Sequence, residues 1–192
     1  MNIEKDRSID YIKSISGTVA IEILIELCED EDNFELILSR AKEYLTCINA
    51  KDIEDEVFES LNSIQIEDLW NNSGKTYWGY KDETEVAYEM LIDGLEYSVQ
   101  RMKQYRELGL KREEKECCKG IIAGLLRYGI EGNNEFHEAV PDDPYIQAEN
   151  ILFGWKEQNS EEDYNEVKEI YDSFFSDSDE EAMYQEDWDE YD

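Results

Sequence analysis

Residues 71–85 read NNSGKTYWGYKDETE, and Gly74-Lys75-Thr76 within them match the last three letters of a phosphate-binding loop. In such a loop backbone amides cradle the phosphates, the Lys reaches the outer oxygens and the hydroxyl holds Mg²⁺. The pattern also needs a Gly five positions before Gly-Lys, and position 69 is Leu. The helix expected next opens on Asp82, Glu83 and Glu85, whose charge would repel a phosphate at a helix N-terminus. The stretch is therefore expected to be a turn between helices. Asn and Gly supply its turn conformations, and Tyr77, Trp78 and Tyr80 pack over neighbouring helices. No cofactor is implied and no cofactor-binding residue is assigned.

Metal chemistry would need His137, the single histidine, together with Cys28, Cys47, Cys117 and Cys118. Their spacings do not match a zinc finger. Cys117 and Cys118 lie on an apolar helical stripe, where a free Cys behaves as a small hydrophobe. His137 is expected at the surface or just beneath it. The acidic C-terminus lacks the Gly at position six of a calcium loop. No metal ligand is assigned. Carboxylates are so abundant that close pairs arise by chance, and no nucleophile–base arrangement is recognisable. No catalytic residue is assigned, and the chain is read as a non-enzyme.

Aromatic residues among acids are the remaining chemical feature. Tyr184, Trp188 and Tyr191 sit in the acidic C-terminus, and Trp78 and Tyr80 in the 71–85 stretch. An acidic-aromatic segment suits a basic groove on a partner. Trp78, Tyr80, Tyr184 and Trp188 are the candidate interaction residues.

The elements that would position these residues are helical. Ile21, Leu24, Ile25 and Cys28 fall at i, i+3, i+4, i+7, a helical face, although IEILIEL also alternates like a strand. Phe34, Ile37, Leu38, Ala41, Tyr44, Leu45 and Ile48 form a second stripe, and Ile53, Val57, Leu61 and Ile64 a third, with Phe58 beside it and Asp52 as its expected cap. Ile66, Leu69 and Trp70 continue the apolar pattern. The strongest helix starts at Asp82 and runs to Gly109; roughly 25 residues at ~1.5 Å each give about 40 Å. Another helix is expected from Lys111 to Tyr128, another begins at Pro144, and a last one carries Tyr164, Val167, Ile170, Tyr171, Phe174 and Phe175. The chain has only two prolines, Pro141 and Pro144, which suits long helices.

Charge limits the partners. The 192 residues carry 50 acidic and 18 basic side chains, a net of −32. Residues 161–192 contribute −14 of this, leaving −18 on the first 160, so the helical part is itself acidic. Direct binding to nucleic acid or to an anionic membrane would need clustered Lys and Arg, so neither is expected; a protein with a basic surface is. The thiols match no disulfide or metal pattern, and MNIEKDRSID is not a secretory leader, which points to a cytoplasmic protein with reduced cysteines.

The run SGKTYWGYKDETEVAYEMLIDGLEYSVQRMKQYRELGL, then CCKGIIAGLLRYG, EFHEAVPDDP and ILFGW, resembles a helical region of uncharacterised microbial proteins, some of which carry a SWIM-type zinc finger. The motifs concerned are Gly74, Gly79, Tyr80, Gly120, Gly124, Pro141, Pro144 and Trp155, over about half the chain. The finger's C-x-C and C-x-H pairs are not present, so the resemblance implies a helical scaffold and transfers neither metal nor nucleic-acid binding.

Together these features predict an all-α bundle of about seven or eight helices arranged as packed hairpins over residues 1–175, followed by an unfolded acidic tail over 176–192. The expected function is that of a non-enzymatic, acidic protein-interaction module. The alternative is a nucleic-acid mimic that inhibits a DNA- or RNA-binding protein. The mixed acidic and basic face of the 82–109 helix, with Arg101, Lys103 and Arg106 after its acids, speaks for the module.

Overall fold

A computed structural model describes residues 11–76 and 79–176. Trp78, Tyr184 and Trp188 lie outside these residues, as does all but Ser176 of the stretch read as an acidic tail. The fold is all-α, and the contacts divide the chain into two compact units, Met1–Cys47 and Ile48–Asp192.

In the first unit α1 spans Gly17–Leu27 and α2 spans Glu31–Thr46. The Ser16 hydroxyl caps α1 by accepting from the Val19 amide, and the Asp30 carboxylate caps α2 by accepting from Asn33 N at 3.0 Å. These short polar caps satisfy amides that no helical carbonyl reaches. IEILIEL is thus helix, not strand. The apolar face read from its spacing does not form a core, because no described side chain between 11 and 47 is buried.

In the second unit the helices are α3 (Ala50–Asn62), α4 (Ile66–Asn72), α5 (Glu83–Glu107), α6 (Lys111–Glu131), α7 (Glu135–Ala139), α8 (Asp143–Gln158) and α9 (Glu161–Ser176). α6 runs through the centre and packs on α3, α5, α8 and α9. Its Cys117, Cys118, Ile121, Ile122, Leu125, Leu126 and Tyr128 are fully enclosed, against Ile53, Val57 and Leu61 of α3 and Leu91 and Leu95 of α5, with Trp155 and Val167 from the later helices. The stripes read from the sequence beyond residue 50 are the faces that meet here. Asn49, not Asp52, caps α3: its side chain accepts from Asp52 N at 2.9 Å and donates to the Asp52 carboxylate. A cap must precede the first helical residue, and Asp52 already lies in the first turn.

The segment expected to be a plain turn is a small antiparallel hairpin. β1 (Gly74–Thr76) pairs with β2 (Gly79–Lys81), with Gly74 opposite Lys81 and Lys75 opposite Tyr80. Gly74 and Gly79 have φ of 84° and 138°, which residues with a Cβ rarely adopt. Gly74-Lys75-Thr76 is therefore a strand, where a phosphate loop would have to wrap its amides around an anion.

Candidate functional site

The hairpin, the end of α4 and one face of α5 enclose a cleft of about 580 Å³. Asn72, Gly79, Tyr80 and Lys81 form one side of it. Val86, Glu89, Met90 and Asp93 form the other, at i, i+3, i+4 and i+7 of α5, and so on one helical face. Asp82 starts α5 at the edge of the hairpin, its carboxylate accepting from Thr84 N at 3.0 Å. Lys81 Nζ donates to Glu89 Oε2 at 2.8 Å, and this contact holds the lysine above its ordinary pKa. Tyr80 is 76% exposed. It was expected to pack over neighbouring helices. Instead its ring stands out from a strand whose burial pattern is exposed throughout.

A second depression, of about 420 Å³, lies on the α4–α7 side. Ile66 and Trp70 of α4 and Glu135, Glu138 and Ala139 of α7 line it. In the sequence Trp70 belongs to an apolar pattern with Ile66 and Leu69. Only Leu69 of the three is buried, and Trp70 is 56% exposed. α4 has two turns, so it can cover its neighbours with one residue per turn, and a ring one position further on faces away.

Asn134 holds α7 in place. Its side-chain oxygen accepts from the Tyr128 hydroxyl at 2.8 Å and from the His137 amide at 3.1 Å, and its amide nitrogen donates to the carbonyls of Leu61 and Ile64 at 3.0 and 3.1 Å. One side chain thus caps α7 and also closes the end of α3. His137 is half-buried. It stacks edge-on against Tyr128, with centroids 5.2 Å apart, and its Nε2 lies 3.2 Å from the Gly129 carbonyl.

Many of the basic side chains face inward to bridge helices. Arg127 meets Asp55 at 2.7 Å and Glu131 at 2.9 Å, with its guanidinium 4.1 Å from the centroid of the Phe58 ring. Lys115 bridges α6 to Asp163 and Glu166 of α9 at 2.9 and 2.8 Å. Arg101 reaches Glu56 at 3.2 Å, and Arg106 reaches the buried Glu114 at 2.6 Å. Two of the three cations that α5 shows in sequence, Arg101 and Arg106, are thereby paired with acids of α3 and α6, while Lys103 stays exposed. The α5 acids Glu89 and Asp93 remain at the cleft, with Lys81 as the one cation that lines it among the described residues.

No protein-family model, curated protein or solved structure matches this chain. The site must be judged on its own chemistry.

An exposed aromatic face beside carboxylates attracts ammonium and guanidinium groups, through the ring quadrupole and through charge-assisted hydrogen bonds. Both depressions offer that combination. The cysteines offer much less. Burial pushes the Cys117 thiol up to about 11 and Cys118 higher still, so at neutral pH neither supplies the thiolate that a nucleophile or metal ligand requires. Among the described residues no three of His, Cys, Asp and Glu converge as a metal-holding group, and no helix is long and apolar enough to cross a membrane.

Proposed function

We propose that this protein is a non-enzymatic interaction module, and that two depressions, one with Tyr80 beside Glu89 and Asp93 and the other with Trp70 beside Glu135 and Glu138, receive basic protein surfaces. The observation that supports this best is the pairing of two exposed rings with two carboxylate-lined clefts in which Lys81, the one lining cation among the described residues, is already engaged by Glu89. Aromatic anchors in such settings dominate interface energies, and surrounding charge speeds encounter with a basic partner. Four free cysteines support a reducing, cytoplasmic setting. The test is capture of partners from the native lysate at low and high salt, with the full chain and with a Tyr80→Ala, Trp70→Ala variant. Proteins retained at high salt by the first and lost by the second support the reading. Identical retention by both contradicts it.

A second reading, a nucleic-acid mimic, gains support from the inward pairing of Arg101 and Arg106, which leaves the α5 surface more acidic than its sequence. A mimic must displace DNA from DNA-binding proteins, and must still do so when truncated at Ser176. Displacement by the truncated chain at micromolar concentration would favour the mimic over the module.

A further inference from the structure

The unit formed by α1 and α2 presents a different surface. α1 reads GTVAIEILIEL. Its only charged residues, Glu22 and Glu26, are spaced i, i+4 and share one edge. A helix apolar on its remaining sides is built to be covered, yet Val19, Ile21, Ile23, Leu24, Ile25 and Leu27 are 39–65% exposed. Phe34 and Leu36 of α2 are exposed as well. Where the two helices meet lies a cleft of about 600 Å³, with Ile23 and Leu27 as its apolar part and Glu26, Glu29, Asp30 and Asn33 as its polar part.

We propose that the helical hairpin Gly17–Thr46 is a docking surface for an amphipathic helix of a partner protein, one whose apolar stripe is flanked by Lys or Arg. The apolar part of the cleft calls for an apolar stripe, as in other helix-in-groove recognition. The carboxylates beside it call for positive flanks. A second copy of this chain fits poorly. It would oppose a net charge of −32 with another −32, and in a two-fold contact it would set Glu26, Glu29 and Asp30 against the same acidic patch. A lipid surface fits poorly too. Interfacial helices carry Lys and Arg on the polar face, and α1 has neither. This docking surface is distinct from the Tyr80 and Trp70 depressions, and it stands or falls separately.

The test uses the full chain and labelled 18-residue peptides followed by fluorescence anisotropy. The first peptide has Leu at i, i+3, i+4 and i+7 with Lys and Arg flanks. The second scrambles its order, so that charge is kept and the apolar face is lost. The third replaces the flanks with Glu. The first should bind at least tenfold more tightly than either of the others. Ile23→Ser with Leu27→Ser should weaken it at least tenfold, and Tyr80→Ala with Trp70→Ala should leave it unchanged. Glu26→Lys with Glu29→Lys should weaken the first peptide and strengthen the third, a rescue that misfolding could not produce. Equal binding of the first and scrambled peptides, or no rescue of the third, would overturn the proposal. So would a dimer in 1 M NaCl, or binding to phosphatidylserine vesicles, that the Ile23→Ser, Leu27→Ser variant abolishes.

Discussion

Gly120 of α6 lies against Ile53 of α3 so closely that a Cβ added to it would stand 2.4 Å from the Ile53 Cβ and 2.5 Å from the Ala50 carbonyl oxygen. One turn on, a Cβ on Gly124 would meet Val57 at 2.7 Å and the Glu54 carbonyl at 2.9 Å. Two glycines four residues apart therefore let α3 lie directly on the α6 backbone, the densest helix contact in the second unit.

Gly120→Ala and Gly124→Ala should each destabilise the protein by about 1–3 kcal/mol, because a backbone carbonyl cannot swing aside as a side chain can. Gly154→Ala is the control. It sits within α8 with nothing within 4 Å of an added Cβ, and should stabilise by roughly 0.5–1 kcal/mol through helix propensity. Urea denaturation of the three variants checks this; equal effects at Gly120 and Gly154 would refute the packing argument.

Asn134 supplies a second test. Asn134→Asp replaces an amide that donates to two carbonyls with an oxygen that repels them. The loss should be about 2 kcal/mol at neutral pH. It should ease as pH falls through the carboxyl's range, since the protonated acid can donate again. A variant equally destabilised at pH 3.5 and pH 7, relative to the parent at each pH, would count against this geometry.

Alkali should weaken the fold. Burial raises Cys117 from 9.0 to about 11 and Tyr128 from 10.0 to about 12. Both groups are neutral when protonated, and their folded pKa values lie above the unfolded ones. Their stabilising contribution, with that of Cys118, whose thiol burial pushes higher still, is thus complete below about pH 9 and is lost as pH rises, first through the two cysteines and then through Tyr128. The denaturation midpoint should fall between pH 9 and 11; Cys117→Ala should make that part of the curve less steep, and Cys117→Ala with Cys118→Ala less steep again. A midpoint constant over this range in the parent would contradict the burial.

Sequence periodicity located the longer helices beyond residue 50 well, because their apolar stripes are long and meet a common partner in α6, but it gave no sign of α7, whose five residues are too few to show a period. It also placed Cys117 and Cys118 in the core, where the structure puts them. It misjudged positions where a stripe has no partner. Ile21, Leu24 and Ile25 follow the same spacing as true core residues, yet remain exposed, because periodicity reports a face and not what covers it. Trp70 was misread for the same reason. The hairpin carried a usable signal in KTYWGYK, a run of Thr and aromatic residues with high strand preference, but its two-residue connection lacks the Asn-Gly or Asp-Gly pair that marks such turns. The inward turn of Arg101 and Arg106 could not be read from sequence, because their partners Glu56 and Glu114 are set by tertiary packing.

Tyr80 and Trp70, on the proposed reading, bind a basic partner beyond the general attraction that a charge of −32 exerts on any cation. The most direct measurement titrates a labelled Lys- and Arg-rich peptide into the full chain and into a Tyr80→Ala, Trp70→Ala variant at several salt concentrations. These substitutions leave the net charge unchanged, so diffuse attraction is the same in both proteins. The variant should bind at least fivefold more weakly at every salt concentration, with an unaltered melting temperature. Equal affinity of the two proteins, together with loss of binding on truncation at Ser176, would contradict that reading and assign the attraction to the acidic C-terminus.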